Sequence, residues 1–251
     1  MRSGMTSPTR SYLLTDLPWT EVAAHLERDR RLIVPVGACD QHGPHLPLGA
    51  ATCVAEALAG DLAREFGVLR SPAFPFGVNV PSERSYAGTS SLKPKTLHRA
   101  LNELLASWAA QGFDEFVCIT ADLHEPHAES IATVYAAGAR VRVVEALSVD
   151  LSAFLEGGAE PQHGGEILTS LLLHLRPAAV RMEAAADFRM DAEGYRRYAR
   201  GRLDSLPDGC AGSIGAPTLA TAEKGRRMYE HILGKIRQKV FIAPADPATA
   251  A

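Results

Sequence analysis

The sequence predicts a single α/β domain: three layers, α/β/α, around a mainly parallel sheet. Two observations carry this. Short apolar runs of strand length alternate with longer segments whose apolar residues recur at helical spacing. No internal repeat and no dividing linker interrupts that rhythm over the 251 residues. A chain this long buries roughly 70–75% of the surface its unfolded form exposes, so it needs neither disulfide nor metal to fold.

Taken in order, residues 1–12 read as a flexible lead. Thr15, Asp16 and Pro18 offer a cap and a proline ahead of a helix running to about Arg30. Residues 31–37 read as a buried strand ending at Gly37, residues 50–66 as a helix, and residues 68–74 as a second strand. Residues 95–111 form a long helix with Leu97, Leu101, Leu104, Leu105 and Trp108 on one face. A third strand over 115–120, a helix over 127–137 and a fourth strand over 141–146 follow. Helices over 166–175 and 221–239 complete a domain spanning 13–240, with a Pro/Ala tail at 241–251. Right-handed crossovers in this pattern leave the strands parallel and the sheet covered on both faces. In such sheets chemistry gathers beyond the carboxyl ends of the strands.

Composition narrows the class. With 46% hydrophobic and 22% charged residues the chain is globular, and a net charge of −3 without a basic stripe argues against a nucleic-acid partner. No apolar run approaches the ~20 residues of a membrane span, and the N-terminus lacks a signal-peptide core. Cys39, Cys53, Cys118 and Cys210 show no CxxC spacing and read as reduced thiols of a cytoplasmic protein.

The polar residues cluster where the fold places chemistry. After the first strand, Asp40 and His42 sit two apart, so an extended segment projects both to one side. Asp122 and His124 repeat that spacing after the third strand. Carboxylate oxygen and imidazole nitrogen are ligands for zinc, iron or manganese. Glu125, His127 and Glu129 read as first-turn helix residues, where carboxylates favour the dipole. A third cluster, His163-Gly164-Gly165-Glu166, opens a helix; its histidine suits general acid/base work near neutral pH. His25, His98, His174 and His231 lie within expected helices and are assigned no chemistry.

Together these segments resemble the creatininase family. The likeness rests on Val34-Pro35-Val36-Gly37 followed by Gln41-His42-Gly43-Pro44-His45-Leu46-Pro47, on Gly88-Thr89 with Ser91-Leu92, and on Gly112-Phe113. It continues through His163-Gly164-Gly165-Glu166 with Thr169-Ser170, and Pro217-Thr218-Leu219-Ala220-Thr221-Ala222-Glu223-Lys224-Gly225. The resemblance implies metal-dependent hydrolysis of a C–N bond in a small molecule, and a homo-oligomer, most often a hexamer.

The departures fall in the site. Asp40 stands for the family's Glu, Ala51 for its metal-bridging Asp, Arg84 for a His, Leu168 for a Glu and Ala216 for an Asp. Without gaps, Asp122 and His124 occupy the positions of the next ligands; a shifted alignment would place His127-Ala128-Glu129 there instead. The ungapped alignment implies one divalent ion held by Asp40, His42, Asp122 and His124, since Ala51 offers no carboxylate to screen a second. His163 then moves the proton to the leaving nitrogen with Glu166 orienting it, while His45, Glu83, Arg84 and His127 contact the substrate. Two other readings stay open: a non-hydrolytic enzyme of a specialised biosynthetic pathway with no metal, and a catalytically silent homologue.

Overall fold

Strands β1 (Arg31–Pro35), β2 (Leu69–Arg70), β3 (Glu115–Thr120) and β4 (Arg140–Glu145) pair in parallel in the order β2-β1-β3-β4. The computed structural model describes residues 11–158 and 162–242. Residues 1–10 of the expected lead and 243–251 of the expected tail lie outside the described residues. The described ends pack on the body: Arg70 donates to the Tyr12 carbonyl (2.8 Å), and Phe241 stacks on Phe66 with centroids 4.6 Å apart.

Alternation along the strands divides the core. Leu32 and Val34 of β1, in register with Phe116 and Cys118 of β3, face one side. There they meet Leu97, Leu101 and Leu105 of α3 (Pro94–Ala110). Ile33, Val117 and Ile119 face the other side. They pack on Val54, Leu58 and Leu62 of α2 (Ala50–Phe66), on α5 (Glu166–Leu175) and on α7 (Ala222–Ile236). One sheet thus serves both cores, as a period of two requires. All four cysteines are free thiols, and no described helix is long and apolar enough to cross a membrane.

Several boundaries move, each for a local reason. Helix α1 (Trp19–Leu26) stops short of Arg30, where Asp29 turns back to hold Arg31 through Nη2 at 2.6 Å. Strand β2 keeps two residues of an expected seven, because Pro72 and Pro75 have no N–H to give a ladder; between them a single bridge joins Val36 to Phe74. Helix α4 (Glu125–Ala132) starts earlier than expected, with Pro126 in its first turn, and ends at Thr133. Helix α6 (Ala192–Ala199) is not among the expected elements; it is arginine-rich, and Asp191 caps its N-terminus by accepting from Gly194 N–H. After α7 the chain continues as a π-helical turn, Arg237–Ile242.

From β1 the chain crosses to β2 on one side, whereas β3 lies on the other and leads to β4. The order therefore reverses between β1 and β3, and the crevice above that point is where such sheets bind ligands. The loops carrying Asp40 and Asp122 both leave there.

Candidate metal centre

Five chain segments bring polar side chains into that crevice, and none of these side chains is more than 8% exposed. Asp40 and His42 arrive from β1, Asp122 and His124 from β3, and Glu83 from the short turn Pro81–Glu83 after β2. His163 comes from the segment before α5, pinned by paired backbone bonds with Ile214 (2.9 and 2.7 Å). Tyr198 comes from α6. Gly164 lets His163 enter: its φ is +59°, and a Cβ there would lie 2.3 Å from the His42 carbonyl oxygen.

Asp40, Glu83, His124 and His163 each offer one ligand atom, and those atoms all lie within 4.8 Å of one another. His163 Nε2 stands 2.9 Å from Glu83 Oε1 and 2.7 Å from the Gln41 carbonyl. Gln41 Nε2 also donates to Glu83 Oε1 at 3.0 Å, and the Tyr198 hydroxyl donates to the same oxygen. His124 Nε2 is 2.9 Å from that hydroxyl, while His124 Nδ1 lies 3.7 Å from Asp40 and 3.4 Å from Asp122. His42 stacks on His163 at 4.6 Å and holds its Nδ1 3.5 Å from Asp40 Oδ1.

The charges are unevenly settled. Burial and the neighbouring charges of Asp122 and Glu83 push Asp40 well above the usual carboxylate range. Burial would also raise Glu83, but His163, His124 and the Tyr198 hydroxyl outweigh it and hold Glu83 below its ordinary value. Asp122 is lowered too: its burial is outweighed by His124 and His127. Burial would lower His163, yet Glu83 raises it above an ordinary histidine. Burial and the nearby His163 lower His42 to about 3, so its ring is neutral at physiological pH.

Both oxygens of Asp40, Glu83 Oε2, Asp122 Oδ2 and His124 Nδ1 are buried without a hydrogen-bond partner. Unsatisfied polar atoms at this density are costly unless something binds them. A divalent cation among the carboxylates of Asp40 and Glu83 and the imidazoles of His124 and His163 would take up the orphaned atoms of the first three residues, so the residues present fit a metal. Ala51, where the family carries its bridging carboxylate, is fully buried in the apolar core.

The convergent group differs from the one read in the sequence. Glu83 and His163 stand among the four donors, whereas His42 and Asp122 lie beside them. Four other candidates fall elsewhere. Glu166, fully buried, takes Lys224 Nζ (2.6 Å) and the backbone N–H of Gly157 (2.9 Å), and orients Lys224 rather than His163. His127 has both nitrogens in use, Nε2 near Thr120 Oγ1 (3.1 Å) and Nδ1 accepting from Val78 N–H (3.3 Å), and serves the fold. His45 sets Nε2 2.8 Å from Thr169 Oγ1, bracing α5. Arg84 is exposed and donates to the Asn79 carbonyl (3.0 and 3.1 Å), not to Glu83. Gln41 and Tyr198 carry no role in the sequence reading. Gln41 was visible in the loop motif, but nothing local marks Tyr198.

A cavity of about 250 Å3 opens over the donors. His42, Asp122, His124 and His163 form its polar part, and Leu123, Leu147, Ile167, Leu168 and Tyr195 its apolar wall. Leu168, which replaces a family carboxylate, thus contributes surface for an apolar group.

Comparison with known proteins shows the family and the fold. The creatininase family, described as creatinine amidohydrolase, matches residues 15–240. The mycofactocin precursor peptide peptidase of Mycobacterium ulcerans (strain Agy99) is 29% identical over 216 residues, covering 80% of this chain and 81% of the relative. The creatinine amidohydrolase of Pseudomonas putida is 24% identical over 244 residues, covering 88% of this chain and 93% of the relative. Among solved structures, a mutant creatininase complexed with creatine shares the fold, with a TM-score of 0.75 at 22% identity over 92% of this chain and 99% of that one.

Proposed function

Because the chain belongs to the creatininase family, we propose that it is a metal-dependent amidohydrolase acting on a C–N bond of a small amide or of a peptide end. The observation that supports it most is the set of orphaned donor atoms of Asp40, Glu83, Asp122 and His124 beneath a cavity of about 250 Å3. In this reading Asp40, Glu83, His124 and His163 hold one divalent ion, zinc or manganese by the chemistry of the donors. A bound ion supplies Lewis acidity, making water a stronger nucleophile and an amide carbonyl a better target.

The chain's own residues do the rest. Three carboxylates leave a net negative charge around one divalent ion; the Tyr198 hydroxyl and the Gln41 amide solvate it at Glu83. Burial raises Tyr198 far above an ordinary phenol, with Glu83 adding to it, so the hydroxyl stays a donor. With His163 among the residues that hold the ion, proton transfer falls to His42. That ring lines the cavity with its Nδ1 3.2 Å from the Asp40 carbonyl, so Nε2 is the atom left to take a proton from water and return it to the leaving nitrogen. Leu123, Leu147 and Leu168 exclude water around the scissile bond.

The test uses the metal-loaded protein with a panel of cyclic amides and short peptides. Amine release is expected, abolished by chelation. His42→Gln is expected to lower kcat by about 100-fold or more while metal content is retained. Metal loss in that variant would return His42 to the ligand set; full activity would remove it from catalysis. The same reading places the enzyme in the cytoplasm as a homo-oligomer, hexameric by family resemblance.

A further inference from the structure

Helix α6 has two faces of opposite character. At about 100° per residue, Tyr195, Tyr198 and Ala199 fall on one side and Glu193, Arg196, Arg197 and Arg200 on the other. The inner side belongs to the site: Tyr195 lines the cavity and Tyr198 reaches Glu83 and His124. On the outer side Arg196, Arg197 and Arg200, joined by Arg202, line a surface cleft of about 180 Å3 with Glu193. All four arginines are exposed. Arg200 pairs with Glu125 at 3.2 Å and Arg196 Nε donates to the Ala192 carbonyl at 3.2 Å. Arg197 and Arg202 meet no acidic side chain among the described residues. In a chain of net charge −3 this is a local excess of positive charge rather than a general property.

We propose that the arginine face of α6 docks an acidic stretch of a peptide whose amide enters the adjoining cavity. The proposal rests on the amidohydrolase reading and deepens it by naming an anionic peptide as the substrate class. Size points outward: a cavity of about 250 Å3 is smaller than the ~300–1,000 Å3 of sites that enclose a drug-sized ligand, so a longer substrate must lie largely on the surface. Position selects α6, because the same helix walls the cavity with Tyr195 on its inner face and carries the guanidiniums on its outer face, so an extended peptide leaving the cavity crosses it. Chemistry selects carboxylates, which guanidinium forks bind in pairs of parallel hydrogen bonds. Relatives 29% identical are described as precursor peptide peptidases, which fits a substrate that extends beyond one residue.

Fluorescence anisotropy on the full chain tests this. The probes are a fluorescein-labelled peptide of alternating Glu and Ala, its Gln-for-Glu counterpart, and a labelled oligouridylate of equal length. The Glu peptide is expected to bind at low salt, weaken as salt rises, and outbind the Gln peptide by about tenfold or more. Arg196→Glu with Arg197→Glu is expected to abolish that preference. Lys235→Glu with Lys239→Glu, at the end of α7 and in the π-helical turn after it, should leave it unchanged. Arg196→Ala with Arg197→Ala serves if charge reversal prevents folding, as judged by thermal unfolding. Equal affinity for the two peptides, an unaffected arginine variant, or tighter binding of the oligouridylate would overturn the proposal. A chain that binds the Glu peptide but cleaves no amide refutes the hydrolase reading and leaves the docking surface standing. One that cleaves amides without regard to peptide charge does the reverse.

Discussion

At Glu83, one carboxylate oxygen collects His163, Gln41 and Tyr198 while the other has no hydrogen-bond partner and lies 3.7 Å from His124 Nε2. Replacing this side chain tests both halves of that asymmetry. Glu83→Gln is expected to weaken divalent-metal affinity by more than about 100-fold, beyond the 10–100-fold cost of disturbing a residue behind the ligands. Competition with a chelating dye measures it, and Arg84→Gln next door should show no change. The sequence reading has His163 moving a proton ahead of a helix and Glu83 contacting the substrate, but does not show that the two meet, because about eighty positions of chain separate them. Asp40 and His124 were readable from spacing after their strands; His45 and His127 shared the same motifs and turned out to brace the fold. A side chain's neighbours across the crevice, not its motif, decide between those roles.

The pairing of α5 with α7 is held at its polar end by Glu166 and Lys224, whereas the sequence reading sets Glu166 to orient His163. Burial would raise the Glu166 carboxyl, but Lys224 and two backbone N–H groups outweigh it and lower the value. A depressed carboxyl stabilises the fold above its unfolded pKa of ~4.3 and loses that contribution as pH falls through the lower folded value. Glu166→Gln is therefore expected to cost about 1–3 kcal/mol at pH 7, measured by urea unfolding, with the gap to the parent closing under acid. Metal content should stay intact. Unchanged stability with lost activity would restore Glu166 to the chemistry. Helices α2, α3, α5 and α7 were legible because their apolar stripes face the sheet. Helix α6 was not: its inward residues are tyrosines that meet polar partners, and its arginines mask any apolar period.

The whole molecule follows from parallel strand order, which sets two loops from β1 and β3 over the switch point and leaves the C-terminal half to close the site from above. That much was written in the alternation of strands and helices. The oligomer is carried by family resemblance alone, and light scattering at micromolar concentration is expected to give a hexamer; a monomer would count against it. The central claim is a single divalent ion in the Asp40, Glu83, His124 and His163 group. Elemental analysis after loading with excess zinc or manganese and removal of free ion tests it most directly. One equivalent per chain is expected, falling below about a tenth in a Glu83→Gln, His124→Ala double variant whose circular dichroism matches the parent. No bound metal in the parent, two equivalents, or one equivalent that survives in the double variant would contradict it.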